Sequence, residues 1–199
     1  MKPRGAFNEV FNTDKIEPWG YFQTYAKIAG ELGPAARICE IGVETGESLR
    51  MWQALFPLGE VIGVDNDVRA VWPPGTVKVV KDQDDPGLPA CVGPCDLIVD
   101  DASHSGPATR AAFDILWLCV RPGGYYVIED WASALWPEEL RGPHGDSMLR
   151  MAEGLLKLLD RREGEHEFIL YRFGMIILKK SASAAAGQWR RVNEVALAR

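Results

Sequence analysis

The chain has 199 residues, of which 47% are hydrophobic and 25% are charged, and its formal net charge at pH 7 is −6. This length and composition are typical of one globular domain with a hydrophobic core. The negative charge argues against nonspecific nucleic-acid binding, which requires a basic surface, so we expect no nucleic-acid partner. The sequence contains no apolar run of about 18 residues, and its N-terminus lacks the apolar core of a signal peptide. We therefore expect no membrane partner and a cytoplasmic location.

The first half of the chain alternates helix-like and strand-like segments. Apolar residues at helical spacing predict a helix over residues 19–32, and a second helix is predicted over 47–56. Short apolar runs predict strands over residues 36–41, 61–64 and 77–80.

The second half continues this alternation. Strands are predicted over 96–99 and 125–128, and helices over 107–118 and 147–160, the first of them beginning at a proline. Residues 167–172 and 175–179 are typical of a closing hairpin. The chain is therefore predicted to form an α/β, doubly wound, mostly parallel seven-stranded sheet with a C-terminal antiparallel hairpin. We expect residues 1–180 to form a single domain, with 1–33 as an N-terminal cap or lid and 181–199 as a tail.

Acidic residues and a histidine follow two neighbouring strands of this sheet. Asp100, Asp101 and His104 come at the end of one apolar run, and Glu129 and Asp130 come at the end of the next. The carboxyl ends of parallel strands meet at the edge where ligands bind in open α/β sheets. Carboxylates packed so closely repel each other unless a cation compensates them. Oxygen donors favour a hard divalent cation, so we expect a Mg²⁺ site, with Mn²⁺ or Ca²⁺ as alternatives.

His104 is the candidate general base of this site. It lies three residues after Asp101, and an imidazole can accept a proton near neutral pH. A simpler interpretation is a capping or surface histidine.

A second group of residues is typical of a nucleotide-type cofactor site. Gly42 and Gly46 follow the first strand and precede a helix, where backbone amides can approach a ligand closely. Asp65 ends the second strand, where a carboxylate can accept hydrogen bonds from a ribose diol. Gln83 follows the third strand and can reach an adenine edge. An alternative is that Asp65 only forms a turn.

These motifs resemble those of class I S-adenosylmethionine-dependent methyltransferases. The residues that carry the resemblance are Glu40, Gly42, Asp65, Asp82, Gln83 and Asp100. More narrowly, Thr13-Asp-Lys15, residues 49–52, Asp101-Ala-Ser-His104 and residues 122–130 resemble the macrocin/mycinamicin-type sugar O-methyltransferases. That family usually has Asp-Gly-Ser-His where this chain has Asp101-Ala-Ser-His104.

The resemblance implies a metal-dependent O-methyltransferase of antibiotic biosynthesis that uses S-adenosylmethionine and Mg²⁺. It implies Asp101, Glu129 and Asp130 as metal ligands, Asp101 and His104 as catalytic residues, and a hydroxylated, glycosylated small molecule as substrate. The expected cofactor-binding residues are Thr13, Lys15, Glu40, Gly42, Gly46, Asp65, Asp82, Gln83 and Asp100. A homodimer or larger homo-oligomer is also expected.

Other interpretations fit parts of the pattern. The paired carboxylates also resemble those of catechol-type O-methyltransferases, whose acceptor is an aromatic diol. A cofactor-binding protein without catalytic activity is a further alternative. Trp131, Trp136 and the loop at 132–145 are interpreted as a wall of the substrate site, or else as a cover of the core. The four cysteines are expected to be reduced thiols.

Overall fold

The computed structural model describes residues 11–16, 20–135, 147–160, 166–172 and 174–183. Seven strands form one sheet: β1 (Ile38–Ile41), β2 (Val61–Asp65), β3 (Thr76–Val80), β4 (Cys95–Asp100), β5 (Val120–Ile128), β6 (His166–Arg172) and β7 (Met175–Lys180). Five α-helices accompany them in the described chain: α1 (Phe22–Leu32), α2 (Glu47–Leu55), α3 (Leu88–Val92), α4 (Gly106–Leu116) and α5 (Ser147–Asp160). Short 3₁₀ turns span Trp117–Cys119 and Trp131–Leu135.

The strand order is β3-β2-β1-β4-β5-β7-β6. The strands β1 to β5 are parallel to one another, whereas β7 is antiparallel to both β5 and β6. The predicted doubly wound, mostly parallel sheet with a closing hairpin is therefore confirmed. The order reverses between β1 and β4, which opens a crevice at the carboxyl ends of these strands.

Each face of the sheet packs against its own helices. On one face α4 and α5 contribute Phe113 and Met148 to a core cluster that contains Ile98 of β4. On the other face α1 and α2 contribute Tyr25 and Trp52 to a second cluster. The rings of Tyr25 and Trp52 meet edge to face at 4.6 Å. Because β1 and β4 are buried on both faces, their carboxyl ends are held rigidly at the crevice.

Two boundaries differ from the sequence prediction. The fifth strand begins at Val120 and not at residue 125, because a bulge accommodates the Pro and Gly residues that suggested a turn. The register shifts between Cys95 and Leu97, which pair with Val120 and Tyr125. Proline and glycine are tolerated in strands at such bulges. The short helix α3 was not predicted, because five residues are too few to show helical periodicity.

Several predictions fall on residues outside the described ranges. These are the start of the N-terminal cap, most of the C-terminal tail, Trp136 and most of the loop at 132–145. All four cysteines are described and are free thiols. Among the described residues, no helix is long and apolar enough to cross a membrane.

Truncation of Phe113 tests the packing of the α4 face. Its ring is fully buried and lies 5.2 Å from the Tyr126 ring and 5.4 Å from the Trp117 ring. Phe113→Ala is expected to lower the free energy of unfolding by about 3–5 kcal/mol, because the cavity loses these contacts. Leu118→Ala is the control, since Leu118 is 42% exposed and a surface truncation costs less than about 1 kcal/mol. Urea unfolding followed by circular dichroism measures both; equal losses would contradict this packing.

Candidate functional site

A cavity of about 940 Å³ opens at the carboxyl ends of β1, β2 and β4. The segment 11–15 forms one wall, and the loops after these strands form the others. Five of the predicted cofactor residues line it: Thr13, Lys15, Gly42, Asp65 and Gln83. Its lining also includes Asp101 and His104. The loop at residues 42–46, which follows β1 and is called the glycine loop below, therefore borders the same cavity as the predicted catalytic residues.

The glycine loop is shaped by close backbone approaches. Gly42 has φ +93°, and a Cβ at this position would lie 2.0 Å from the carbonyl oxygen of Asp101. Gly46 has φ +73°, and a Cβ there would lie 2.3 Å from the carbonyl oxygen of Val71. Glycine is required at both positions, because L side chains rarely adopt this φ and neither site has room for one. The two glycines fold the loop against its neighbours, and Gly42 in addition lines the cavity.

Asp65 organises the same loop through backbone hydrogen bonds. Its Oδ2 atom accepts N–H bonds from Val43 at 2.8 Å and Glu44 at 3.1 Å, and its Oδ1 atom accepts one from Asp67 at 2.8 Å. A carboxylate has about four lone-pair sites, so Oδ1 of Asp65 can accept a further bond. Asp65 therefore fixes the loop and still faces the cavity with acceptor capacity.

The other predicted cofactor residues lie around the cavity rather than in its lining. Gly46 lies at the start of α2. Asp82 accepts a hydrogen bond from Asn66 Nδ2 at 2.8 Å. Glu40 is buried and accepts a hydrogen bond from the Ser48 hydroxyl at 2.6 Å. Asp100 is also buried, and burial together with the charge of Asp101 raises its pKa to about 7.

The acidic cluster consists of Glu40, Asp101, Glu129 and Asp130, and Lys15 contacts the first three of these residues. Its Nζ atom is 2.5 Å from Asp101 Oδ2, 3.0 Å from Glu129 Oε2 and 3.2 Å from Glu40 Oε1. Burial alone would lower the pKa of Lys15, but the charges of Asp101, Glu129 and Glu40 outweigh it and raise the pKa well above its usual value. The ammonium group therefore remains charged in a site that is 1% exposed.

Two tyrosines of the α1 region hold the acids that follow β5. The Tyr25 hydroxyl donates a hydrogen bond to Glu129 Oε1, and the Tyr21 hydroxyl donates one to Asp130 Oδ1 at 2.7 Å. Burial raises the pKa of Glu129 well above its usual value, although Lys15 opposes this effect. Burial likewise raises the pKa of Asp130, against the opposing hydrogen bond from Tyr21. Both oxygens of Glu129 are thus engaged by protein donors.

His104 faces the remaining oxygens of Asp101 and Asp130. Its Nε2 atom lies 4.0 Å from Asp101 Oδ1 and 3.8 Å from Asp130 Oδ2. One donor atom from each of these three residues lies within 4.8 Å of the others, a spacing at which they can share a metal ion. His104 and Asp130 both have positive φ, 50° and 51°. Such strained backbone in non-glycine residues is concentrated at functional sites.

The donor set fits a hard divalent cation. The Lys15 ammonium contacts three carboxyl groups, those of Glu40, Asp101 and Glu129, and a fourth, that of Asp130, lies 3.8 Å from His104 Nε2. One positive charge leaves this buried edge negative, and carboxylate oxygens are the ligands that Mg²⁺ prefers. Asp101 and Asp130 would hold the cation, with His104 beside them. Glu129, the third predicted ligand, has its oxygens on Lys15 and Tyr25 in this arrangement.

Sequence reasoning did not assign Tyr25, Ser48 or Tyr21 to the acidic cluster. Tyr25 was treated only as a core residue of α1, because it lies at helical apolar spacing. Its phenol reaches the acidic cluster from within that core. Trp131, predicted as a wall of the substrate site, is partly buried and packs against the α4–α5 cluster. His144 of the same loop lies outside the described residues.

A comparison with known proteins finds a family model that matches part of the chain. Residues 39–131 match a family model described as a methyltransferase domain. The matched residues include β2, β4, β5 and most of β1, which supply the glycine loop and the acids of the cluster.

The chain is similar to curated proteins that are named as O-methyltransferases. L-olivosyl-oleandolide 3-O-methyltransferase of Streptomyces antibioticus is 37% identical over 139 residues, which are 61% of this chain and 36% of the relative. Demethylmacrocin O-methyltransferase of Streptomyces fradiae is 42% identical over 123 residues, which are 56% of this chain and 30% of the relative. The chain therefore spans about a third of the length of these relatives.

A solved structure shows the same fold. The MycE methyltransferase from the mycinamycin biosynthetic pathway, in complex with Mg, SAH and mycinamycin VI, superposes with a TM-score of 0.76. The two sequences are 25% identical, and the match covers 90% of this chain and 54% of that chain. The predicted resemblance to the mycinamicin-type family is confirmed.

Gly42→Ala tests the contact between the glycine loop and the Asp101 backbone. The Cβ clash and the positive φ are expected to lower the free energy of unfolding by about 2 kcal/mol or more and to weaken cofactor binding. The control is Gly30→Ala in α1, where a Cβ meets nothing within 4 Å. The control is expected to raise stability by up to about 1 kcal/mol. Thermal unfolding and cofactor titration measure both; a Gly42 variant as stable as wild type would refute the close approach.

Proposed function

We propose that this protein transfers a methyl group from S-adenosylmethionine to a hydroxyl group of a glycosylated small molecule, with the help of a divalent cation. The observation that carries the proposal is the single cavity that is lined by Gly42 and Asp65 on one side and by Asp101 and His104 on the other. This arrangement places a cofactor site directly beside a cation site. The similarity to enzymes named as methyltransferases of glycosylated antibiotics supports the same activity and substrate class.

The residues of the cavity have separate roles in this proposal. Thr13, Gly42, Asp65 and Gln83 bind the cofactor, with Glu40, Gly46, Asp82 and Asp100 shaping the walls behind them. Lys15, the ninth residue of the predicted cofactor set, contacts the acidic cluster. A cofactor held by these residues would share its cavity with Asp101 and His104 and would supply the methyl group there.

Asp101, Glu129 and Asp130 bind or surround the cation in the proposed reaction. A bound divalent cation lowers the pKa of a hydroxyl group that it contacts. Such help is needed because an alkyl hydroxyl is a poor nucleophile at neutral pH. His104 accepts the hydroxyl proton through its ring nitrogen, and the acceptor oxygen takes the methyl group as the carbon–sulfur bond breaks. His104 is suited to this role because its side chain is 32% exposed and borders the cavity.

The domain boundaries, the oligomeric state, the partners and the location of the protein remain predictions. We infer one domain over residues 1–180 with a lid at 1–33, a tail at 181–199, and a homodimer or larger assembly. The small-molecule acceptor makes nucleic acid an unnecessary partner. We also infer a cytoplasmic location.

Calorimetric titration tests the two halves of the site independently. The wild-type protein is expected to bind S-adenosylmethionine and, separately, Mg²⁺. Asp101→Asn is expected to abolish Mg²⁺ binding, because it removes a charged ligand, and to leave the cofactor affinity essentially unchanged. Asp84→Asn removes an exposed carboxylate and serves as the matched control. Absence of cofactor binding in wild-type protein would overturn the methyltransferase proposal.

Replacement of His104 tests the general base. His104→Ala is expected to lower the turnover number about 10²–10⁴-fold at pH 7 while cofactor binding persists. The measurement is release of S-adenosylhomocysteine in the presence of glycosylated acceptors. His166→Ala, in β6, is the control. Full activity of the His104 variant would favour an aromatic diol acceptor, which ionises without a strong base.

A further inference from the structure

Lys15 has a contact pattern that the proposed reaction does not yet explain. The ammonium has three N–H donors, and it meets three carboxyl groups, those of Glu40, Asp101 and Glu129, within 3.2 Å. Two of its donors make hydrogen bonds, to Asp101 and Glu129, and the Glu40 carboxylate lies 3.2 Å away as an ion-pair partner. This pattern argues against a role as a ligand for the carboxylate of the cofactor, although Lys15 borders the cavity.

The ammonium and the proposed cation site share two carboxylates, those of Asp101 and Glu129. Asp101 directs Oδ2 at Lys15 Nζ and Oδ1 at His104 Nε2. Glu129 directs one oxygen at Lys15 and the other at the Tyr25 hydroxyl. Lys15 thus forms ion pairs with Asp101 and Glu129, which are two of the three predicted metal ligands. The buried location of the ammonium prevents water from screening its charge.

We propose that Lys15 is a tethered counterion that weakens the binding of the divalent cation and thereby keeps the bound cation electrophilic. Carboxylate ligands donate negative charge to a cation, and this donation reduces the ability of the cation to acidify a hydroxyl group. An ammonium that shares the same carboxylates reduces the donation, and its positive charge repels the cation. Lys15 is accordingly a positioning residue, which acts through Asp101 and Glu129 and does not touch the acceptor.

The lysine also fixes the place of the N-terminal segment. The backbone carbonyl of Lys15 accepts a hydrogen bond from the Phe22 N–H at 2.8 Å, at the start of α1. Tyr21 and Tyr25, in the same region, hold Asp130 and Glu129. The N-terminal segment and the α1 region therefore bring one charged donor, Lys15, and two neutral donors, the tyrosines, to the acids. Only the charged donor can oppose a cation electrostatically, which allows a test by charge alone.

The inference rests on the proposed function, since it requires a divalent cation at Asp101. The test compares Lys15→Gln, which keeps a hydrogen-bond donor but removes the charge, with Lys15→Arg, which keeps the charge. Lys27→Gln is the matched control, because Lys27 is exposed on α1. Mg²⁺ affinity is measured by calorimetry, and Mn²⁺ affinity by electron paramagnetic resonance of the free ion. If Lys15→Gln folds only with metal, chelator competition on Mn²⁺-loaded protein gives the same comparison.

The expected result is that Lys15→Gln binds Mg²⁺ and Mn²⁺ at least about tenfold more tightly than wild type, because a buried positive charge is removed. Lys15→Arg and Lys27→Gln are expected to bind like wild type. With an acceptor that the wild-type protein methylates, Lys15→Gln is expected to turn over more slowly despite its tighter cation binding. If Lys15 had a merely structural role, Lys15→Gln would lose both cation binding and turnover.

Weaker or unchanged cation binding in Lys15→Gln would overturn the inference, as would absence of cation binding in every variant. Neither result removes the methyl-transfer part of the proposed function, which depends on binding of S-adenosylmethionine, but absence of cation binding would remove the role of the divalent cation. Loss of cofactor binding in wild-type protein would overturn that proposal, whereas the cation titrations do not depend on the cofactor.

Discussion

The contact between the Lys15 ammonium and three buried carboxyl groups is the interaction on which the site depends. Glu40, Asp101 and Glu129 come from three different strand ends, and without a cation their mutual repulsion would oppose the close approach of β1, β4 and β5. Burial increases the strength of the interaction, because the surrounding protein screens charge less than water does. The ammonium thus links the N-terminal segment to the carboxyl edge of the sheet.

Two further constraints keep this edge in place. Gly42 allows the first loop to lie against the Asp101 backbone, where any side chain would collide with the carbonyl oxygen. Tyr21 and Tyr25 donate hydrogen bonds from the α1 region to the acids that follow β5. The cofactor half and the acidic half of the cavity are therefore parts of one packed unit.

Much of the fold was predictable from local patterns. Short apolar runs and helical spacing were sufficient for all seven strands and four of the helices. In the central strands β1 and β4, burial on both faces leaves a continuous apolar signal. The start of β5 was misplaced, since Pro122 and Gly124 are typical of a turn but here belong to a bulge. The position of β7 between β5 and β6 was also not predictable, because adjacency in a sheet depends on long-range pairing.

The sequence by itself determined the types of group at the site: carboxylates and an imidazole after two strands, and glycines after the first. This was possible because strand ends in a parallel sheet share one edge. Only the tertiary structure decided which side chains each of these groups contacts. Lys15 and Tyr25 are far from Glu129 in the chain, and their contacts with it depend on the docking of the N-terminal segment and α1 against the sheet. Such contacts leave no periodic trace in the sequence, because each is made by a single side chain brought there by the packing of whole elements.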